Sequence, residues 1–508
     1  MPSPIPTTPA ARALHQRFAR LSAIEDALAI LQWDRAAVMP DGGGEGRAEQ
    51  IAVLSGLHHD ILAAPETGHL LDDAETEQGA GDPVVASWHQ ANRAEMRRRH
   101  VHATALPRDL VEALARGASV CEQAWRAARP QADFALVQQP LEALLALVRE
   151  SARAKAEALG CGLYDALLDE YEPGGKVAAI EALFADLETF LPDFLGAVME
   201  RQKAKGPANR PTGVFPRVAQ EALGRETMAR LGFDFSAGRL DVSAHPFCGG
   251  TPRDVRLTTR YDDGDFISAL FSVIHETGHA LYEQGLPADW LDQPVGRARG
   301  MSVHESQSLL FEMQVCRDPA WVAWAAPVWR ERFGGQGPEW ETETLCRALT
   351  RVEPGFIRVE ADEVTYPAHV ILRFRLERAM IEGDLAVADL PGAWNDLSER
   401  LLGIRPPNDR LGCLQDIHWY DGAWGYFPTY TLGAMTAAQV FDAARRADPA
   451  ITPALARGEV APLLGWLRRE IHARASLLST DALLSAATGR PLDAQVFKDH
   501  LRRRYLEG

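Results

Sequence analysis

Two histidines four residues apart, with a glutamate directly after the first, read His275-Glu276-Thr277-Gly278-His279. On a helix, positions i and i+4 share a face, so both imidazoles can reach one divalent ion. Glu276 then points a little aside, where it can take a proton from a water on that ion without being a ligand. A second cluster follows, His304-Glu305-Ser306-Gln307, and Glu305 lies 26 residues after His279. It can supply the third ligand and leave the fourth position open. Three ligands with one open position suit hydrolysis, whereas a structural zinc site closes all four with Cys and His.

Such a motif needs a helix to carry it, and residues 265–285 offer one. Phe266, Leu270, Val273 and Ile274 form its apolar face, aspartates at 262–265 are available as N-caps, and Gly285 is placed as a C-cap. Helical periodicity also runs through Leu14, Phe18, Leu21, Ile24, Leu28 and Leu31, and through 134–160, 176–203, 360–383 and 461–505. The clearest strand signal is Asp254–Tyr261, which alternates polar and apolar residues and ends in Asp262-Asp263-Gly264. Loops are expected at 64–83 and 203–217, neither long enough to separate independent domains. The expectation is a mainly α protein: one large helical catalytic unit, residues 1–508, with a small β element near 254–262.

Composition narrows the partners. A net charge of −17 argues against nucleic acid or an anionic membrane. No stretch approaches 18 uninterrupted apolar residues, so no transmembrane helix is expected. The N-terminal Met1-Pro2-Ser3-Pro4-Ile5-Pro6 has neither a basic n-region nor an apolar h-region, so no signal peptide is expected. Cysteines 121, 161, 248, 316, 346 and 413 are scattered without a C-x-x-C pair, which fits buried thiols in a reducing cytosol better than a disulfide framework.

Other clusters carry chemistry less decisively. They are His245-Pro246-Phe247, Asp254-x-Arg256-x-Thr258, Ile357-Arg358-x-x-Ala361-Asp362, Gly403-Ile404-Arg405-Pro406, Gly412-x-x-Gln415-Asp416-x-His418-Trp419 and Gly425-Tyr426-Phe427-Pro428-Thr429-Tyr430. Taken singly, Asp254, Arg256 and Asp362 read as structural ion pairs, His418 as a core histidine, and Trp419 and Phe427 as core or pocket wall. As an ordered set with the two metal clusters, they resemble the carboxypeptidase Taq family of metallocarboxypeptidases. Trp33-Asp34, Met39-Pro40 and Arg47 extend the resemblance over nearly the whole chain.

The resemblance implies a helical fold with a deep cleft between two lobes, a homodimer, and removal of single residues from the C-termini of peptides. It implies one divalent metal per chain, zinc first and cobalt as a substitute, held by His275, His279 and Glu305 with Glu276 as general base. Where many relatives carry an Arg and an Asn after the His-Glu-Ser-Gln segment, this chain has Leu309 and Met313. The oxyanion would need donors besides the metal, and His418 and Tyr430 are the candidates, with Tyr426 in reserve. A free terminal carboxylate calls for an arginine fork, Arg358 first and Arg405 second. His245 and Gln415 are further candidates for substrate binding. A carboxylate is expected behind one ligand histidine, with Asp416 as the candidate. Two other classes remain open: an endo-acting metallo-oligopeptidase, which would lack the carboxylate anchor, and a non-catalytic helical scaffold with a relic motif. The intact Glu276 speaks against the second.

Overall fold

In a computed structural model, which describes residues 5–77 and 83–508, helices make up nearly all the regular structure. The apolar stripes expected in the two long central segments become the helices Ala135–Leu159 and Val177–Lys205. Leu141, Leu144 and Val148 of the first, and Phe184, Leu187 and Leu191 of the second, are buried in the main core. The segment expected from 360 starts later, as Tyr366–Glu382, because Asp362 accepts the amides of Val364 and Thr365 and holds a turn ahead of Pro367.

The helical pattern over 461–505 is carried by three helices, Ala461–Glu470, Thr480–Thr488 and Ala494–Arg502. Ser479 and Asp493 cap the later two through their side chains, and Gly489, at φ 85°, closes the middle one. The expectation of a loop over 64–83 is corrected, since most of it is the helix Pro65–Thr76. Pro65 sits in its first turn, where a missing N–H is tolerated, and Leu71 and Ala74 bury against Phe18 and Met96 in a small core. Of that expected loop, residues 78–82 lie outside the described residues. The 203–217 loop begins after Lys205 and has no regular structure over 206–216.

The β element is larger than one strand. Strands β1 (Gly238–Val242), β2 (Phe247–Thr251) and β3 (Asp254–Thr259) form a sheet in the order β1-β3-β2, with β1 parallel and β2 antiparallel to the central β3. β3 is the strand legible in the sequence. Its Val255 and Leu257 are fully buried under the Phe266–Glu283 helix. Thr258 Oγ1 accepts the Phe247 amide at 3.1 Å and Ser243 Oγ at 2.7 Å, tying down the turn that carries His245. Arg256 pairs with Asp254 at 2.7 Å and lies 4.2 Å over the Trp33 ring, so two of the outlying motifs meet in one contact. Asp34 pairs with Arg47.

The apolar side chains sort into a main core and a small N-terminal one built on Leu14, Phe18 and Leu21. Between them Trp88 stacks on Trp290 at 5.3 Å, and the buried Asn92 amide donates to Gln293 at 3.0 Å. All six cysteines are free. Among the described residues no helix is long and apolar enough to cross a membrane.

Candidate metal centre

The His-Glu-x-x-His segment lies within the Phe266–Glu283 helix. Asp265 caps it, its side chain accepting the amides of Ile267 and Ser268. The C-terminal expectation is corrected: the cap residue is Gln284, and Gly285 is needed because a Cβ there would overlap the His472 ring. Gly278 has a similar use. A side chain at 278 would meet the backbone of Gln307 and Ser308, so its absence lets this helix lie directly on Met301–Leu309, the helix carrying Glu305. Gly433, on the Pro428–Ala447 helix, makes room for the Glu305 side chain in the same way.

Ligand atoms of His275, His279 and Glu305 all lie within 4.8 Å of one another. Glu305 Oε2 is 3.4 Å from His279 Nε2 and 3.8 Å from His275 Nε2. The other ring nitrogens are held from behind. His275 Nδ1 is 2.9 Å from Glu312 Oε2, and Glu312 Oε1 accepts from Arg317 at 3.0 Å. His279 Nδ1 lies 2.7 Å from His304 Nδ1 and 3.1 Å from the His304 carbonyl, and the far side of the His304 ring bonds Glu283 at 2.8 Å. Each arrangement turns Nε2 toward the shared point, as a metal ligand requires. Glu312 comes from a π-helical turn, Leu310–Val315, that follows directly on the Glu305 helix.

The electrostatics fit a cation. Burial works against a charged ring at His275, yet Glu305, the Glu312 hydrogen bond and Glu276 together raise it to about 10. His279, lowered to about 4 by burial, stays neutral. The carboxylates that favour positive charge at His275 would favour a divalent ion at the same point, which binds the ring in its unprotonated form. Burial, reinforced by Glu305 and Glu312, raises Glu276 to about 7, a range suited to a general base.

The other singled-out residues divide. Tyr366, Tyr426 and Tyr430 all feel the Glu305 carboxylate, and Tyr430 stands one turn before Gly433. His418 Nε2 lies 3.2 Å from the Tyr430 hydroxyl, and burial keeps His418 neutral at about 4. Arg358, buried, stacks 4.6 Å over the Tyr430 ring, and its Nη2 binds Asp416 at 2.8 Å. Asp416 is shared with the fully buried Arg373, whose Nε is 2.6 Å away. Despite burial, these two arginines hold Asp416 well below the usual carboxylate range. The expected partner of a ligand histidine is therefore corrected. Asp416 serves the arginines, and Glu312 stands behind His275.

Gln415 spends its amide on the carbonyls of Phe356, Leu411 and Gly412, and its oxygen accepts the Arg358 amide at 2.9 Å. It shapes the Arg358 turn rather than pointing a free group outward. Arg405 is on the surface, half exposed, paired with Asp396 and Glu399 at 3.0 Å. His245 is exposed on the β1–β2 turn. Sequence reasoning missed Glu312, Arg373 and the His304 carbonyl. Glu312 gave no clear signal, because the π-helical turn from Leu310 breaks the α-helical spacing that follows Glu305.

Comparison with known proteins decides the lineage. The model of the carboxypeptidase Taq (M32) metallopeptidases matches residues 13–505. The chain belongs to that family. A thermostable carboxypeptidase 1 of Thermus thermophilus is 38% identical over 487 residues, 94% of each chain. Metallocarboxypeptidase 1 of Trypanosoma cruzi superposes with a TM-score of 0.94 at 39% identity, covering 98% of this chain and 99% of that one. The M32 carboxypeptidase of Deinococcus radiodurans gives 0.92 at 34% identity, over 98% and 99%. The protein is thus a metal-dependent carboxypeptidase, a peptide hydrolase of mainly helical fold.

Proposed function

We propose that this metallocarboxypeptidase releases single amino acids from peptide C-termini, with His275, His279 and Glu305 as ligands and Glu276 as general base. The observation that carries the reading is the convergence of three ligand atoms beside a buried glutamate. Zinc fits the two-imidazole, one-carboxylate donor set, and cobalt is the expected substitute. When bound, the ion supplies Lewis acidity at the scissile carbonyl and lowers the pKa of water at the open position. As general base, Glu276 would accept a proton from that water and hand it to the leaving amine.

Tyr430, a neutral phenol pushed up to about 12 by burial, donates to the oxygen that gains charge, with neutral His418 beside it. Arg358 receives the substrate's terminal carboxylate, its fork held in place by Asp416 and its face by the Tyr430 ring. His245, on the turn ahead of the edge strand β2, is a further substrate contact in this reading. Gln415 acts by fixing the backbone of Arg358. The whole chain works as one catalytic unit, a homodimer in the cytoplasm. The free cysteines accord with that location, and light scattering of the purified protein tests the dimer.

Stripping with a chelator and titrating zinc back tests the core of the reading. Hydrolysis of a free-acid peptide should vanish and return in step with one ion per chain. Full activity in protein carrying no stoichiometric ion would overturn it. Internal cleavage by the restored protein would favour an endo-acting oligopeptidase.

A further inference from the structure

Glu377 is fully buried on the Tyr366–Glu382 helix, and among the described residues it has no ion-pair partner. Its carboxylate instead collects three neutral donors. Oε1 accepts the Tyr164 hydroxyl at 2.6 Å and the Gly425 amide at 2.7 Å, while Oε2 accepts the Trp419 indole N–H at 2.6 Å. Burial raises the group to about 7, so it is an expensive occupant of an apolar site. An apolar side chain would fill the same space. What a carboxylate adds is acceptor capacity for several donors at once.

Those donors bracket one turn. Trp419 follows His418 directly, and Gly425 precedes Tyr426. The turn closes on itself through the Ala423 amide on the His418 carbonyl at 2.8 Å and the Trp424 indole on the Trp419 carbonyl at 3.2 Å. Gly425, at φ 91°, lies so near the Leu167 backbone that a Cβ would clash, which presses the turn against the Leu163–Leu168 helix of Tyr164. One helical turn before Glu377, on the same face, Arg373 grips Asp416. The helix thus holds the 416–426 segment at both ends, by Arg373 at its start and by Glu377 further along.

We propose that Glu377 is a positioning residue for hydrolysis, its carboxylate fixing through Trp419, Gly425 and Tyr164 the turn that sets His418 and Tyr426 beside Tyr430. This rests on the reading that the His418–Tyr430 group meets the reacting carbonyl. Glutamine at 377 keeps the size but offers one oxygen and one NH2, so one donor must face another donor. The turn then relaxes, and misplacement of about 1 Å costs on the order of 100-fold in rate.

The test compares wild type with Glu377→Gln, both carrying one zinc per chain. Turnover of a free-acid peptide should fall roughly 10- to 100-fold with KM and zinc affinity unchanged. The Trp419 indole resonance, assigned by its loss in Trp419→Phe, should shift in the variant. With its oxygen on the Tyr164 and Gly425 side, the glutamine NH2 faces only the Trp419 N–H, so adding Trp419→Phe to Glu377→Gln should cost little beyond Trp419→Phe alone, whereas fully additive losses would count against the proposal. An unmoved indole resonance would overturn the proposal, as would a shifted one with turnover unchanged. If Glu377→Gln does not fold, Trp419→Phe is measured for turnover, and a wild-type rate there would overturn it equally. A wild type that releases no amino acid would sink the functional reading instead, while the indole shift would still report the Glu377 bond.

Discussion

Replacing Glu312 by glutamine should loosen the metal without disabling the chemistry. Glu312 Oε2 lies 2.9 Å from His275 Nδ1, and its other oxygen takes Arg317 at 3.0 Å. Glutamine keeps an oxygen for the imidazole N–H, so the ring stays turned toward the ligand point. It loses the negative charge that makes the imidazole more basic and that answers Arg317. Arg317 retains the Leu349 carbonyl, so the cluster should still fold. Removing such a supporting carboxylate weakens metal binding about 10- to 100-fold, or about 1.4–2.7 kcal/mol. Competition against a chelator of known zinc affinity measures this directly. Turnover at saturating zinc should stay within a few-fold of wild type. Zinc affinity unchanged within twofold would refute the argument. Asp416→Asn weakening zinc more than Glu312→Gln would return the supporting role to Asp416.

Glu276→Gln should bind peptide and metal but lose at least about 10²–10⁴-fold in turnover, read from single-turnover rates of the metal-loaded variant. Because burial raises Glu276 to about 7 and only its carboxylate accepts a proton, kcat/KM should fall as pH drops through an acidic limb. A bound cation favours the carboxylate, so that limb should lie at or below about 7, and a limb well above 7 would count against Glu276. Arg358→Ala should cost about 2–5 kcal/mol in kcat/KM, some 30-fold to several thousand-fold. Amidating the peptide should penalise the wild type similarly and the variant hardly at all, because both changes remove one interaction. Tyr430→Phe should lower kcat about 10²–10³-fold with little change in KM; a near-normal Tyr430→Phe beside a crippled Tyr426→Phe would exchange the two roles.

The motif helix was legible because two independent signals agreed: an apolar 3.6-residue stripe through Phe266, Leu270 and Ile274, and an aspartate at its start. β3 was legible from its alternation. β1 and β2 were not, since five residues each, with Gly249 and Gly250 in β2, give no pattern of their own and are ordered by pairing with β3. The candidate cluster of His275, His279 and Glu305 followed from i, i+4 geometry and a downstream glutamate. The partners behind the ligands did not, because they depend on how two helices pack: Gly278 sets that distance, and the π turn after Leu309 decides where Glu312 points. Arg405 and Arg358 looked alike as arginines in a motif. Only burial and the Asp416–Arg373 network separate a surface ion pair from a fork held inside the molecule.

The most direct measurement is mass spectrometry of one peptide over time with the zinc-loaded enzyme, in free-acid and amidated forms. A ladder of products shortened one residue at a time from the C-terminus, strongly slowed by amidation and abolished in Glu276→Gln, is the expected result. Internal fragments formed equally from both peptides, or a ladder undiminished in Glu276→Gln, would contradict it.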